Sequence, residues 1–146
     1  MSARENALSA LLAVITEAYP WRTPPSRRLR LWSDVAPMER PACFLFEGGF
    51  ETYEQGAASQ PKRMLEAKLF VYVDARDPAS IGAASINSIM DALDLALIPS
   101  GSDQSLGRVT LDGAAYRCMI MGRPLKDPGE LDGDGLLVVP IQIILP

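Results

Sequence analysis

Apolar and polar residues alternate along two stretches of the chain, residues 42–55 and 62–74, on either side of the small residues at 56–59. Alternation with a period of two is typical of β-strands, and a cluster of small residues between two such stretches is typical of a turn. The pattern therefore predicts a long β-hairpin with an exposed turn at 56–59. Its base is apolar on both faces and its outer half is polar on one, so the outer half is expected to project as an arm that contacts a partner.

The register of the predicted hairpin follows from its charges and its apolar positions. If the numbers of paired residues sum to 115, Glu47 lies opposite Lys68, which is an attractive cross-strand pair. The same register collects the large apolar side chains on one face, and a slip by one residue would reverse the faces. The residues expected in the core are Phe44, Phe46, Leu69 and Val71.

Helical periodicity appears in two further stretches. Apolar residues at positions 8, 11, 12 and 15 predict an amphipathic helix over residues 3–19, which ends before Pro20. A second apolar stripe predicts a helix over residues 79–97. Asp77 is the expected N-cap of that helix and Pro78 its first residue.

The remaining apolar stretches predict four more strands, one before the hairpin and three after the second helix. They comprise residues 28–32 with a basic face, 108–111 and 115–121 around the turn Asp112-Gly113, and 136–145. Because Pro140 cannot donate a hydrogen bond to a neighbouring strand, the last strand is expected at a sheet edge or with a bulge. The predicted fold is α+β, with an antiparallel or mixed sheet, two helices on one face and residues 1–146 in one domain.

Composition narrows the possible functions. The 146 residues carry a net charge of −4 with a pI near 4.8, which argues against coating of nucleic acid. The chain has no histidine, so Ser-His-Asp and Cys-His catalysis are excluded. Cys43 and Cys118 lie in apolar stretches without metal-ligand spacing, and both are expected as buried, reduced thiols. We expect no enzyme activity, metal or cofactor, and neither a leader peptide nor a membrane span.

Three motifs allow more than one interpretation. The acidic loop at residues 127–135 could hold Ca²⁺, but it lacks the EF-hand spacing and is expected to be a solvated turn. Gly48-Gly49 lacks the context of a phosphate-binding loop and is expected to form a bend or bulge. The basic residues between 22 and 30 and the adjacent Trp32 could form an interface, or instead a solvated strand face and a core tryptophan.

The order of these features resembles one protein family over nearly the whole chain. It runs from an N-terminal helix through Leu-Arg-Leu-Trp at 29–32, Arg-Pro-Ala-Cys-Phe-Leu at 40–45 and Leu-Phe-Val-Tyr-Val at 69–73. It continues with a helix that contains Ile-Asn-Ser-Ile-Met-Asp-Ala-Leu at 86–93 and with a Gln-Ser-Leu-Gly turn at 104–107. It ends with the acidic glycine-rich loop before the last strand. This arrangement resembles the tail terminator proteins of long-tailed bacteriophages, the lambda minor-tail-protein-U-like group.

The resemblance implies a structural virion protein that forms a hexameric ring, caps the tail tube, ends its polymerisation and offers the head a docking surface. The implied partners are further copies of the chain, the tail tube protein and the head–tail connector proteins. DNA would pass through the lumen without specific binding. The implied location is the head-proximal end of the tail, after assembly in the host cytoplasm.

Seven residues are the candidates for protein contacts. The mixture of tyrosine, arginine and polar groups on the arm is typical of a specific interface, and the Arg/Trp segment is the second candidate. The residues are Tyr53, Glu54, Gln55, Arg63, Arg28, Arg30 and Trp32. The alternatives are another phage tail or neck component, such as a tube or head-completion protein, a small-molecule-binding α+β domain, and a carboxylate-dependent hydrolase.

Overall fold

The computed structural model describes residues 2–55 and 60–146, so the predicted turn at 56–59 lies outside the described residues. Its helices and strands are α1 (Ala3–Ala18), β1 (Thr23–Ser26), β2 (Ala42–Glu54), β3 (Lys62–Asp74), α2 (Gly82–Ala96), α3 (Asp103–Leu106), β4 (Arg117–Ile120), β5 (Leu125–Asp127) and β6 (Asp134–Ile144). Two single-turn 3₁₀ helices, Trp32–Asp34 and Pro37–Glu39, lie between β1 and β2. Among the described residues, no helix has both the length and the apolar character needed to cross a membrane.

Six strands form one mixed sheet. Its order is β1-β2-β3-β6-β4, and β5 pairs with β6 beside β4. β1 runs parallel to β2, whereas all the other pairs are antiparallel. The predicted α+β class with a mixed sheet is confirmed.

The sheet is apolar on both faces. On one face, Leu11 of α1 and Leu93 of α2 pack in the same cluster as Leu69, Val71 and the odd-numbered residues of β6, all of them buried. The predicted alternation of the last strand is therefore confirmed. The other face holds a smaller core of Val35, Ala42, Phe44 and Tyr72, which is covered by the segment that follows β1.

The hairpin exists, but its predicted register is wrong. Paired residue numbers sum to 114 from Ala42 to Glu47 and to 116 from Glu51 to Glu54, so Glu47 lies opposite Ala67 rather than Lys68. The change occurs at a bulge, as expected for Gly48-Gly49, and Gly49 has a positive φ of 97°. Because both faces are apolar at the base of the hairpin, alternation alone could not distinguish these registers.

The register change explains which predicted core residues are buried. Leu69 and Val71 lie on the helix-covered face, and Phe44 lies in the smaller core on the opposite face. Phe46 is 36% exposed, so its prediction as a core residue is wrong. Its ring lies over Gly48, where an added Cβ would sit only 2.6 Å from the ring carbons.

The strand predicted at residues 28–32 is also wrong. The first strand lies earlier, at Thr23–Ser26, where its two prolines are tolerated because β1 is a sheet edge. Residues 28–40 instead form a compact cap over the smaller core. Arg40 holds this cap together by donating to the carbonyl oxygens of Trp32 and Val35 at 2.9–3.1 Å.

The second helix begins at Gly82, three residues later than predicted. Asp77 accepts a hydrogen bond from the Ala79 backbone at 2.9 Å in a separate turn, and Ile81 then has extended backbone angles. Asp77 therefore caps that turn and not α2.

The region after α2 differs from the predicted hairpin. Of the two strands predicted around Asp112-Gly113, only the second is present, at Arg117–Ile120. Leu111 and Asp112 both have positive φ angles, which lie outside the range of a β-strand. The preceding segment still accepts backbone hydrogen bonds, from the Cys118 N–H to the Val109 carbonyl and from the Ala115 N–H to the Thr110 carbonyl, both at 2.9 Å.

The prediction that the last strand lies at a sheet edge or carries a bulge at Pro140 is wrong as well, because its pairing with β3 continues without a shift where Lys68 lies opposite Pro140. β6 is an interior strand between β3 and the pair β4 and β5. Pro140 lies between the stretch of β6 paired with β5 and the stretch paired with β4. Its missing N–H group thus falls at a gap between two short neighbours.

Candidate functional site

The predicted interface residues lie at two separate places. Tyr53 pairs with Arg63 at the outer end of the hairpin, next to Glu54 and Gln55. The Arg28–Trp32 segment lies at the other end of β3, where the Tyr72 hydroxyl donates to the Arg30 carbonyl at 2.5 Å. Arg63 and Tyr72 lie nine positions apart along β3, or about 30 Å at ~3.3 Å per residue. They are therefore two surfaces and not one.

The outer half of the hairpin is held in position by α1. Arg4 makes a bidentate ion pair with Glu51, with both N–O distances 2.9 Å, and donates to the Tyr53 hydroxyl at 2.8 Å. The hairpin is also supported on the side of β3, because β3 stays paired with β6 as far as Met64, which lies opposite Ile144. The arm is consequently supported along most of its length.

A second set of ion pairs braces the same region. Arg27 donates to Glu5 of α1 at 2.7 Å and also to Glu47 of β2. Hydrogen bonds from Arg27 lower the pKa of the Glu5 carboxyl, and those from Arg4 lower the pKa of Glu51. Two arginines thus tie the hairpin to the first turns of α1.

These pKa shifts predict weaker attachment of the arm in acid. When folding lowers the pKa of a carboxyl, that carboxyl stabilises the native state at pH values above its ordinary pKa of 4.5. This contribution is lost as the pH falls through the lowered pKa. The urea midpoint should therefore fall as the pH decreases below about 5. Arg4→Gln and Arg27→Gln together should flatten this dependence, and an unchanged slope in that double variant would contradict the assignment.

The outer hairpin exposes aromatic rings beside these anchors. Phe50 is 78% exposed and Tyr53 is 59% exposed. Arg63 is partly buried and, with Tyr53, lines a shallow depression of about 280 Å³. A second cleft of about 440 Å³ lies between α1 and the bulge, and its charged residues include the paired Arg4 and Glu51. The arm therefore combines an ordered backbone with exposed apolar groups.

Two arginines of the basic cluster, Arg27 and Arg30, are engaged within the fold, whereas Arg22 and Arg28 are exposed. Arg27 braces α1, and Arg30 binds the Asp34 carbonyl at 2.6 Å and the Glu39 carboxylate at 3.5 Å. Arg28 is exposed, and Trp32 is 55% exposed, so the alternative of a core tryptophan is excluded. The predicted strand with a basic face is wrong, because residues 28–32 form no strand and Arg27 and Arg30 bind different partners.

Sequence reasoning missed one buried charge. The Arg40 side chain is only 2% exposed and donates to Asp134 at 2.6 Å, across 94 residues of sequence. No local pattern signals this pair, because its two members come from a loop and from the first residue of β6. Its bonds to the backbone and to Asp134 give it a structural role.

Carboxylates of the acidic loop accept hydrogen bonds from backbone N–H groups of the same loop. Asp127 accepts from the Gly129 N–H at 3.0 Å, and Asp132 accepts from the Asp134 N–H at 2.9 Å. No group of three or more potential metal ligands is found in residues 2–55 and 60–146. The loop geometry is that of hydrogen-bonded turns.

Both cysteines are buried and unpaired, as predicted. Burial raises the pKa of each thiol to about 12. At neutral pH the reactive thiolate is therefore scarce in the native protein.

No protein-family model matches this chain, and no curated protein matches it either.

Proposed function

We propose that this protein is a tail terminator, a structural ring protein that caps a phage tail tube, ends its polymerisation and presents a docking surface to the head. In this proposal it is not an enzyme, and its partners are copies of itself, the tail tube protein and the connector proteins of the head. The resemblance described above suggests six subunits in the ring.

The observation that carries the proposal is the braced aromatic surface of the outer hairpin. Phe50 and Tyr53 are exposed, whereas the backbone that carries them is fixed by Arg4 and by the neighbouring strand β3. Aromatic residues and arginine are enriched in protein interfaces. A surface that is ordered before binding loses less conformational entropy when a partner binds. These features suit a contact with a neighbouring subunit or with the end of the tube.

The charge of the chain is compatible with a ring that surrounds DNA. A net charge of −4 with a pI near 4.8 disfavours adhesion of a polyanion to the protein surface. A terminator must let DNA pass without retaining it. A net negative charge suits this requirement because it repels the phosphates of DNA.

The test is the double variant Phe50→Ser and Tyr53→Ser, introduced into a phage that encodes the protein. Both side chains are largely exposed, so the free energy of unfolding should change by about 1 kcal/mol or less. Because the variant loses the aromatic contacts, we expect overlong tubes or tails without heads in electron micrographs. Infectious titre should fall accordingly.

The matched control is Leu106→Ser, which changes a similarly exposed residue on α3 and should leave tail length normal. Normal tails and titre in the double variant would contradict the proposal. A complete absence of tubes would favour a tube component, and full-length tails beside heads that lose DNA would favour a head-completion protein.

A further inference from the structure

A small pocket lies where the cap of residues 28–40 meets the acidic loop. Its volume is about 200 Å³, and we call it the indole pocket. Its lining includes Trp32 from the cap, Tyr72 and Leu136 from the sheet, and Asp127, Asp132 and Asp134 from the acidic loop. An aromatic ring and carboxylates from separate parts of the chain thus meet at one cavity.

The indole of Trp32 is not used to pack the cap on the sheet. The smaller core consists of Val35, Ala42, Phe44 and Tyr72, and Trp32 is neither a member of it nor packed against it. The link between Trp32 and Arg40 is made by the Trp32 backbone carbonyl and not by its ring. The ring is 55% exposed and lines the indole pocket, so it is available to a ligand there.

Each carboxylate at the pocket uses one oxygen within the fold. Asp127 Oδ1 accepts from the Gly129 N–H at 3.0 Å, and Asp132 Oδ1 accepts from the Asp134 N–H at 2.9 Å. Asp134 Oδ1 accepts from Arg40 at 2.6 Å. Within residues 2–55 and 60–146, the Oδ2 atoms of these carboxylates receive no hydrogen bond. Three acceptor oxygens therefore remain.

The charge at the pocket stays negative when the nearby cations are counted. Arg40 compensates one of the three carboxylates, which leaves a net charge of −2. Arg76 lies over Gly133 but binds Asp74 with two of its nitrogens. Lys126 points away to Asn87, and Arg28 does not line the pocket.

These features select an organic cation as the ligand. In the described part of the chain, no three carboxylates lie close enough together to hold a metal ion, so the acceptors surround the pocket rather than share one point. A guanidinium is planar, weakly hydrated and rich in N–H donors, so it can stack on an indole and donate to carboxylates on several sides. An ammonium is compact and strongly hydrated, and it suits such a site less well.

We propose that the indole pocket binds the guanidinium of an arginine side chain presented by another protein chain. The guanidinium would stack on Trp32 and donate to Asp127 and Asp132, and its methylene groups would contact Leu136. The assignment rests on the pocket alone and goes beyond the proposed function.

An NMR titration of the isotope-labelled full chain tests the site directly. The probe is N-acetyl-arginine amide, and the matched control is N-acetyl-citrulline amide, which has the same shape without the charge. The chain has two tryptophans, and the Trp21 indole N–H donates to the Ile15 carbonyl at 2.8 Å, so its signal serves as an internal reference. We expect a saturable shift of the Trp32 indole signal over the millimolar range with the arginine probe only.

Three variants separate the contributions to binding. Asp127→Asn and Asp132→Asn keep the oxygen that closes each turn and remove the charge, so each should weaken probe binding about two- to fivefold. Trp32→Leu should weaken it by a similar factor, read from the amide signal of Leu136. The control is Asp91→Asn, which removes an exposed charge on α2 and should leave the affinity unchanged.

The source of the arginine is identified without the probe. A Trp32 shift that grows with protein concentration and disappears in Asp132→Asn would identify a second copy, and a shift only on addition of tube protein would identify that protein. An unchanged Trp32 signal in both experiments would overturn the claim of a protein partner.

Three other results would overturn the site itself. Equal shifts with the arginine and citrulline probes would show that charge is not recognised. An equal loss of affinity in Asp91→Asn would reduce the effect to overall charge. Tighter binding of N-acetyl-lysine amide would contradict the stacked guanidinium.

Discussion

Replacement of Arg40 by alanine is expected to destabilise the folded protein by about 3–5 kcal/mol. The guanidinium is almost fully buried and donates to Asp134 and to the carbonyl oxygens of Trp32 and Val35. Its removal leaves these acceptors without their donor, and a buried charge or carbonyl that loses its partner carries the cost of desolvation. The cap of residues 28–40 should detach from the sheet as a result.

Chemical denaturation of Arg40→Ala would measure this loss. The matched control is Arg28→Ala, which removes an exposed arginine from the same cap and should change stability by about 0.5 kcal/mol or less. Equal effects of the two substitutions would show that the buried hydrogen bonds do not fix the cap.

Gly129→Ala is expected to destabilise the protein by about 2–5 kcal/mol. Gly129 has a φ of 72°, and a left-handed conformation costs alanine about 1–2 kcal/mol. An added Cβ would also lie 2.5 Å from backbone atoms of Asp134 and Gly135, and forced overpacking costs about 1–3 kcal/mol more. Backbone cannot rotate away as a side chain can, so the loop must move from β6.

The control for the steric part of this effect is Gly107→Ala. Gly107 has a similar φ of 68°, but an added Cβ would have no neighbour within 4 Å. It should therefore cost only the conformational part, about 1–2 kcal/mol. Thermal or urea unfolding of both variants gives the difference, and identical losses would contradict the proposed collision with β6.

Local patterns were sufficient to predict the hairpin, α1 and the buried face of β6. Their information is contained in neighbouring residues, since alternation and helical periodicity need no knowledge of distant partners. The register was lost because Ala42, Phe44 and Tyr72 face a second core, which made both faces of the hairpin apolar. β1 was missed because an edge strand in a parallel pair can contain two prolines.

The candidate contact residues of the outer hairpin stay a prediction, and the signals that pointed to them are local. Tyr53 and Arg63 were identified from residue type and from their place near a turn, which the sequence displays directly. The apolar residues on the sheet face opposite the helices, beyond the cap of residues 28–40, were missed because they form one surface only when β2, β3, β6 and β5 are aligned. Its members are separated along the chain by up to about 90 residues, and only the pairing brings Phe46 and Leu125 to one face.

The central position of β3 has a consequence for the order of folding. Its partner β2 is adjacent in sequence, whereas the paired ends of β3 and β6, Asp74 and Asp134, are 60 residues apart. A hairpin closes rapidly, but the long loop must lose entropy before β6 pairs. During this interval one edge of β3, carrying Leu69 and Val71, has no neighbouring strand. An unpaired apolar edge can add foreign strands, so this is the stage at which the newly made chain is most prone to aggregate.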